Sequence, residues 1–290
     1  MTSPEPDSES AGEPSGESSG ESAGAAARVS ARLRREPPRF RRVTVAGVRP
    51  LSARLVRITF AGAELDGLQI DEPAASVRLL LPGSATAALV MPIWNGNEFL
   101  LPGGRRPTIR TFTPRRSDPV ARELDLDVVL HGTGRASEWA VAAEAGRQAA
   151  ISGPGRGYTI DRDAPAYLLA GDESAIPAIS QLLESLPPET PTQVEIEVPA
   201  PEGRVALPEH PNATIEWHDL APGAPPGDAL IAAVRRTEIA PGTRVWAAGE
   251  AAAVQRIRRY LFNELAIPRG QTTVRGYWKH GRAGDDDDEK

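Results

Sequence analysis

The chain contains no cysteine, which excludes disulfides, thiolate-bound iron–sulfur clusters, thiolate haem and any cysteine nucleophile. Histidine is scarce. The four present (His131, His210, His218, His280) are not at metal-ligand spacing, so no dedicated protein metal site is expected. No apolar run reaches the roughly 18 residues of a membrane span, so no integral membrane segment is expected. The N-terminus is acidic and lacks the apolar stretch of a secretory signal, which makes a cytoplasmic protein the default. Aromatics are only 5% of the residues, so the few that stand together carry more weight than usual.

Charge is present in quantity but unevenly placed. The 290 residues hold 33 Lys+Arg and 39 Asp+Glu, for a formal net charge of −6. Residues 1–27 contain six acids (Glu5, Asp7, Glu9, Glu13, Glu17, Glu21) and no base, and Asp285–Lys290 adds five acids and one base. The stretch between carries 32 bases and 28 acids, so the body is mildly basic. Residues 1–27 lack Ile, Leu, Phe and Trp and cannot bury enough apolar surface to offset ordering entropy. An acidic disordered arm with a basic connector is therefore expected over 1–37, and an acidic disordered tail over 283–290. No nucleic-acid partner is expected, and a monomer is the default.

From Arg42 to about Pro154 the pattern predicts strands. Val43–Val48 and Ala53–Phe60 alternate polar and apolar residues around the turn Arg49–Ser52. Ser76–Leu81, Ile109–Thr113, Leu124–His131 and Ala149–Ser152 complete six candidates, with one short helix over Ser137–Ala145. This fits a six-stranded antiparallel barrel, assigned to residues 38–155. From Ala164 strands and helices alternate. Strands are expected at Tyr167–Ala170, Val194–Val198, Thr214–Trp217, Arg244–Ala248 and Thr272–Tyr277, and helices at Ala175–Leu186, Asp228–Arg236 and Ala251–Leu265. That order predicts a parallel α/β sheet over 156–282.

Four stretches carry candidate chemistry. In Arg110-Thr111-Phe112-Thr113 strand alternation puts Arg110 and Phe112 on one side, where a guanidinium suits a phosphate and an aromatic suits a planar ring. The same strand also reads as one core Phe flanked by surface arginines. Val129-Leu130-His131 runs into Gly132 and Gly134, and Arg135, Ala136 and Ser137 lead into a helix whose free N–H groups favour an anion. Gly171-Asp172-Glu173-Ser174 and Gly249-Glu250 repeat a junction of strand, glycine, acid and helix at two strand ends of one sheet. Neither is a G-x-G-x-x-G fingerprint, which disfavours a standard Rossmann dehydrogenase. Finally, Tyr277-Trp278 pairs two aromatics near the chain end, either as an anchor or as a cover for a ring.

In order, Arg110-Thr-Phe-Thr113, Leu130-His131, Ala136-Ser137-Glu138-Trp139, Ser152-Gly-Pro154, Leu169 to Pro177, Ala248-Gly-Glu250 and Gly276-Tyr-Trp278 resemble the siderophore-interacting proteins. These form a branch of the ferredoxin-reductase-like flavoproteins that reduces ferric siderophores, and the resemblance spans about residues 38–282. It implies an FAD-binding barrel followed by an NAD(P)H-binding α/β domain, with NADPH or NADH as electron donor and a ferric siderophore as substrate. By that resemblance Arg110 contacts the phosphate side of FAD, Phe112 packs on the isoalloxazine and Thr113 lies near its N5, which makes Phe112 and Thr113 the catalytic candidates. The backbone of Val129, Leu130 and His131 lines the flavin, and Ala136 and Ser137 hold the pyrophosphate, with Arg135 strengthening that contact. Gly171, Asp172, Glu173, Ser174, Gly249 and Glu250 flank the nicotinamide, with Tyr277 and Trp278 close by. Phe112 departs from the commoner Tyr, and Arg135 from the commoner Pro. Arg54, Arg78, Arg244 and Lys279 are candidates for attracting an anionic ferric siderophore. Two other readings stay open, a ferredoxin-dependent siderophore reductase and a siderophore-binding module without redox turnover.

Overall fold

A computed structural model describes residues 37–84, 87–132 and 134–281. The acidic arm and the acidic tail lie outside the described residues.

The first half is built from nine strands. β1 (Phe40–Pro50), β2 (Leu55–Ala61) and β3 (Val77–Leu81) precede a small two-stranded pair, β4 (Ile93–Trp94) and β5 (Phe99–Leu100). β6 (Thr108–Phe112), β7 (Pro114–Asp118), β8 (Glu123–Val129), helix α1 (Arg135–Val141) and β9 (Gln148–Ser152) follow. Seven strands form one antiparallel sheet in the order β6-β3-β9-β1-β2-β8-β7. β6 and β7 are opposite edges of that sheet, yet Thr113 alone separates them in sequence. Since one residue spans only about 3.5 Å, the sheet must curl until its edges meet at Thr113. The barrel is thus closed by the chain itself at this corner.

This sheet has seven strands where the sequence pattern predicts six. The unforeseen strand is β7, Pro-Arg-Arg-Ser-Asp, which shows no apolar alternation and begins with a proline that an edge position tolerates. The alternation in β2 is real: Val56, Ile58 and Phe60 are buried in the barrel core. Phe60 stacks on Trp139 of α1 with ring centroids 6.0 Å apart, so α1 packs on the barrel core.

The second half alternates strands and helices. β10 (Tyr167–Asp172), α2 (Ile176–Ser185), β11 (Thr192–Val198), β12 (Ala213–Asp219), α3 (Asp228–Arg236), β13 (Arg244–Glu250), α4 (Ala251–Arg259) and β14 (Thr272–Trp278) follow in turn. The exception is β11, which passes to β12 without an α-helix between them. All pairs are parallel, in the order β12-β11-β10-β13-β14. Tyr167, Leu169, Val194, Ile196 and Trp246 pack under α2, while Leu168, Ala170, Val245 and Ala247 pack under α3 and α4. Burial on both faces explains the near-continuous apolar runs. Past α4 the chain continues through a wider π turn, Tyr260–Glu264.

The winding reverses between β10 and β13, which are neighbours in space. Ligands of open α/β sheets bind at such a switch point, outside the carboxyl ends of the strands. Here that crevice is bordered by Asp172 and Glu250, the last residues of β10 and β13. Leu55 and Ala74, on the barrel side, are buried in the same apolar cluster as Tyr167 and Trp246, so barrel and sheet share a continuous core.

Candidate functional site

Three predicted residues pack at the margin of the barrel core. Phe112, Leu130 and Ala136 are each partly buried and pack against the barrel core from its margin. Arg110 stands two residues before Phe112 on β6, half-buried, with its Nη1 donating to the Ile109 carbonyl at 2.9 Å. Thr113, at the barrel corner, is buried. Val129 packs instead against the core shared with the parallel sheet, and Leu130 N–H donates to the Arg54 carbonyl at 2.7 Å. The His131 side chain is exposed.

Beyond His131 the chain turns through Gly132 and Gly134, at φ +81° and +84°. The second turn starts α1 at Arg135, two residues before the predicted start, so Ser137 is not the helix cap. Its hydroxyl is buried and accepts the His131 N–H at 3.2 Å, while Gly134, the N-cap, has no side chain with which to cap the helix. Arg135 donates to the Gly83 carbonyl at 2.7 Å. Partly covered apolar side chains, open space where Gly132 lacks a Cβ and the Arg110 guanidinium on β6 fit an FAD.

On the sheet side, Asp172 organises the switch point. Its Oδ1 accepts Ser174 N–H at 2.9 Å and the Ser174 hydroxyl at 2.5 Å, and its Oδ2 accepts Glu250 N–H and the Trp278 indole N–H, both at 2.7 Å. One carboxylate therefore ties together the ends of β10, β13 and β14. Burial pushes its pKa up, against these hydrogen bonds, which favour the anion. Gly249, at φ +149°, leaves no alternative: a Cβ there would lie 2.5 Å from Asp172 Oδ2. Gly171 is equally tight, with a Cβ 2.4 Å from that of Ala175. The cap of the turn before α2 is thus Asp172, with Ser174 as its donor.

The neighbouring acids are also committed. Glu173 holds Arg54 in a bidentate pair, Nε to Oε2 at 2.8 Å and Nη2 to Oε1 at 2.6 Å. Glu250 caps α4 through Ala253 N–H at 2.8 Å and accepts His280 N–H at 3.1 Å. Tyr277 lies edge-on to Trp246, and its hydroxyl accepts from Thr113 Oγ1 at 3.4 Å. Burial raises the Tyr277 pKa, so the phenol stays neutral.

The four basic substrate candidates do not form one patch. Arg54 is paired with Glu173. Arg78 lies over the rings of Phe40 and Phe99 and donates to Ser152 Oγ at 3.1 Å, and burial lowers its pKa. Arg244 stands at the first residue of β13, the end of the sheet opposite the switch point, where it pairs with Asp161. Only Lys279 is exposed beside the crevice, next to Trp278. Sequence spacing also misses a cross-strand group: Glu195, Glu216 and His218 offer ligand atoms within 4.8 Å of one another, and His218 bonds Glu195. Among the described residues no helix is long and apolar enough to cross a membrane.

Residues 44–158 match the profile of the siderophore-interacting FAD-binding domain, and residues 164–281 that of the siderophore-interacting protein. The chain is 31% identical to the ferric vibriobactin reductase ViuB of Vibrio cholerae, over 80% of this chain and 86% of that protein. The chain belongs to the siderophore-interacting protein family. A siderophore utilization protein from T. fusca superposes on this family member with a TM-score of 0.76 at 34% identity, covering 85% of this chain and 95% of that one. The NADPH-dependent ferric-chelate reductase of Escherichia coli is 34% identical over 51% of this chain and 58% of its own length. More distant solved structures share the ferredoxin-reductase-like fold alone. The barrel of this siderophore-interacting protein is thus the family's FAD-binding domain.

Proposed function

We propose that this protein is an NAD(P)H-dependent, FAD-containing reductase that releases Fe(II) from ferric siderophores. The observation that carries the reading is the meeting of Thr113, at the barrel corner, with Tyr277, at the carboxyl end of β14. This contact joins the barrel corner that follows Phe112 to β14, the neighbour of β13 at the switch point, which supports a ring held between the two halves. Phe112, Leu130 and Ala136 give the ring its apolar seat, Arg110 the charge for its phosphates, and the backbone of Val129 to His131 a wall. The turn into Ala136 and Ser137 faces the pyrophosphate. Gly171 and Gly249 let the strand ends close on Ala175 and Asp172, which shapes the crevice that takes the nicotinamide. Asp172, Glu173, Ser174 and Glu250 serve mainly by holding that crevice in shape, since their side chains are already bonded.

Nicotinamide gives up electrons as a hydride whereas Fe(III) accepts one electron, and bound flavin supplies the conversion between the two. One dinucleotide then reduces two ferric ions. The lower charge of Fe(II) weakens its hold on hard oxygen chelators, so the metal is released with no cysteine and no protein ligand. Lys279 and the exposed Trp278 offer a cation and an apolar face at the mouth. The domain division near residue 155 and a cytoplasmic site of action belong to this reading. Ferredoxin as donor is the competing version.

The test mixes flavin-loaded protein, an anaerobic ferric siderophore and a ferrous-specific chelator with NADPH, NADH or reduced ferredoxin in turn. Fe(II) formation with a pyridine nucleotide supports the proposal. Formation with ferredoxin alone would transfer the assignment to that donor, and formation with none would leave a binding module.

A further inference from the structure

A second cleft runs along the free edge of β14, at the other end of the sheet. Its volume of about 740 Å³ lies in the range of small-molecule sites. Its walls are the segment after β9, the π turn after α4 and the first half of β14. β13 has seven residues, so the Arg244 end is roughly 20 Å from the switch point. Among the described residues five arginines line the cleft, against a single acid, Asp161.

Their partners divide these arginines into two kinds. Arg244 is bonded to Asp161 and to the Gly270 carbonyl, and Arg275 donates to the carbonyls of Ala74, Arg156 and Gly157. These two brace the walls. Arg156, Arg258 and Arg269 have no carboxylate partner among the described residues. Arg258 and Arg269 both lie against the ring of Phe262, at 5.6 and 5.4 Å from its centroid. That ring attracts each cation, yet it also holds two like charges close together without a counter-charge. In the same wall the Thr272 hydroxyl oxygen is buried with no hydrogen-bond partner among the described residues, a rare state for a buried polar atom.

We propose that this cleft binds a small organic polyanion, its phosphate or carboxylate oxygens held by Arg156, Arg258 and Arg269. Planar guanidinium forks match both oxyanions bidentately, and three of them around one cavity call for a ligand with several such groups. The site is independent of the flavin reading and lies on the opposite end of the sheet.

Calorimetric titration of the full-length protein at fixed ionic strength tests it, with tripolyphosphate and citrate as probes. Saturable binding of one probe per chain is expected, weakened about tenfold or more by Arg269→Gln and by Arg156→Gln. Arg156 lies outside the packed helices, so its variant guards against a folding defect, and circular dichroism checks both. Tighter binding of tripolyphosphate identifies a phosphate ligand, and tighter binding of citrate a polycarboxylate. Binding of neither probe, or undiminished binding by both variants, would overturn the proposal.

Discussion

The indole N–H of Trp278 donates to Asp172 Oδ2 at 2.7 Å, so a ring that is 39% exposed hangs from a carboxylate that is 6% exposed. An exposed aromatic is ordinarily free to rotate; this one is held by a buried anchor that also fixes two strand ends. In Asp172→Asn an amide NH2 must face donors that now meet an oxygen, leaving at least one buried N–H unpaired. The expected cost is about 1–3 kcal/mol. Urea unfolding measures it, and a shifted tryptophan emission reports the loosened ring.

In the proposed reductase, Phe112 supplies area to the flavin rather than a hydrogen bond. Phe112→Ala should therefore weaken FAD retention about tenfold or more, whereas Phe112→Tyr should keep it. Equilibrium dialysis of deflavinated protein against FAD provides the comparison. Equal retention by the alanine variant would remove Phe112 from the ring's seat.

Arg54 and Glu173 join barrel to sheet with side chains only 28% and 12% exposed. Arg54→Gln strands the carboxylate, with an expected loss of about 1–3 kcal/mol. Arg54→Lys should recover part of it, since an ammonium cannot reproduce the two-bond fork. Denaturant midpoints of the three proteins rank the outcome.

Acid should act at Asp161. The Arg244 guanidinium, then the Asp163 N–H, hold this carboxyl below its ordinary range. A depressed folded pKa gives stability that is fully present above about pH 4 and is lost as pH falls through the folded value. The melting-temperature gap between wild type and Asp161→Asn should therefore hold steady from neutral pH to about pH 4 and close below it.

Much of the fold could be read from local pattern. β2 alternates visibly, and the doubly buried runs of β10 and β13 announce a parallel sheet. β7 could not be read, because Pro114-Arg115-Arg116 carries no alternation and its strand exists through pairing with β8. The start of α1 was misplaced because Gly134, rather than a hydroxyl cap, turns the chain. The residues of the crevice were legible, but the work of Asp172 was not: two of its partners, Glu250 and Trp278, lie 78 and 106 residues away. The pairing of Arg54 was hidden for the same reason. Arg54 meets Glu173 across 119 residues, a relation that no spacing along the chain expresses.

The most direct test is the visible spectrum of the purified protein under anaerobic conditions. The account predicts a yellow protein whose flavin absorbance is bleached by NADPH or NADH and restored by a ferric siderophore. A colourless protein that takes up no added FAD would contradict it.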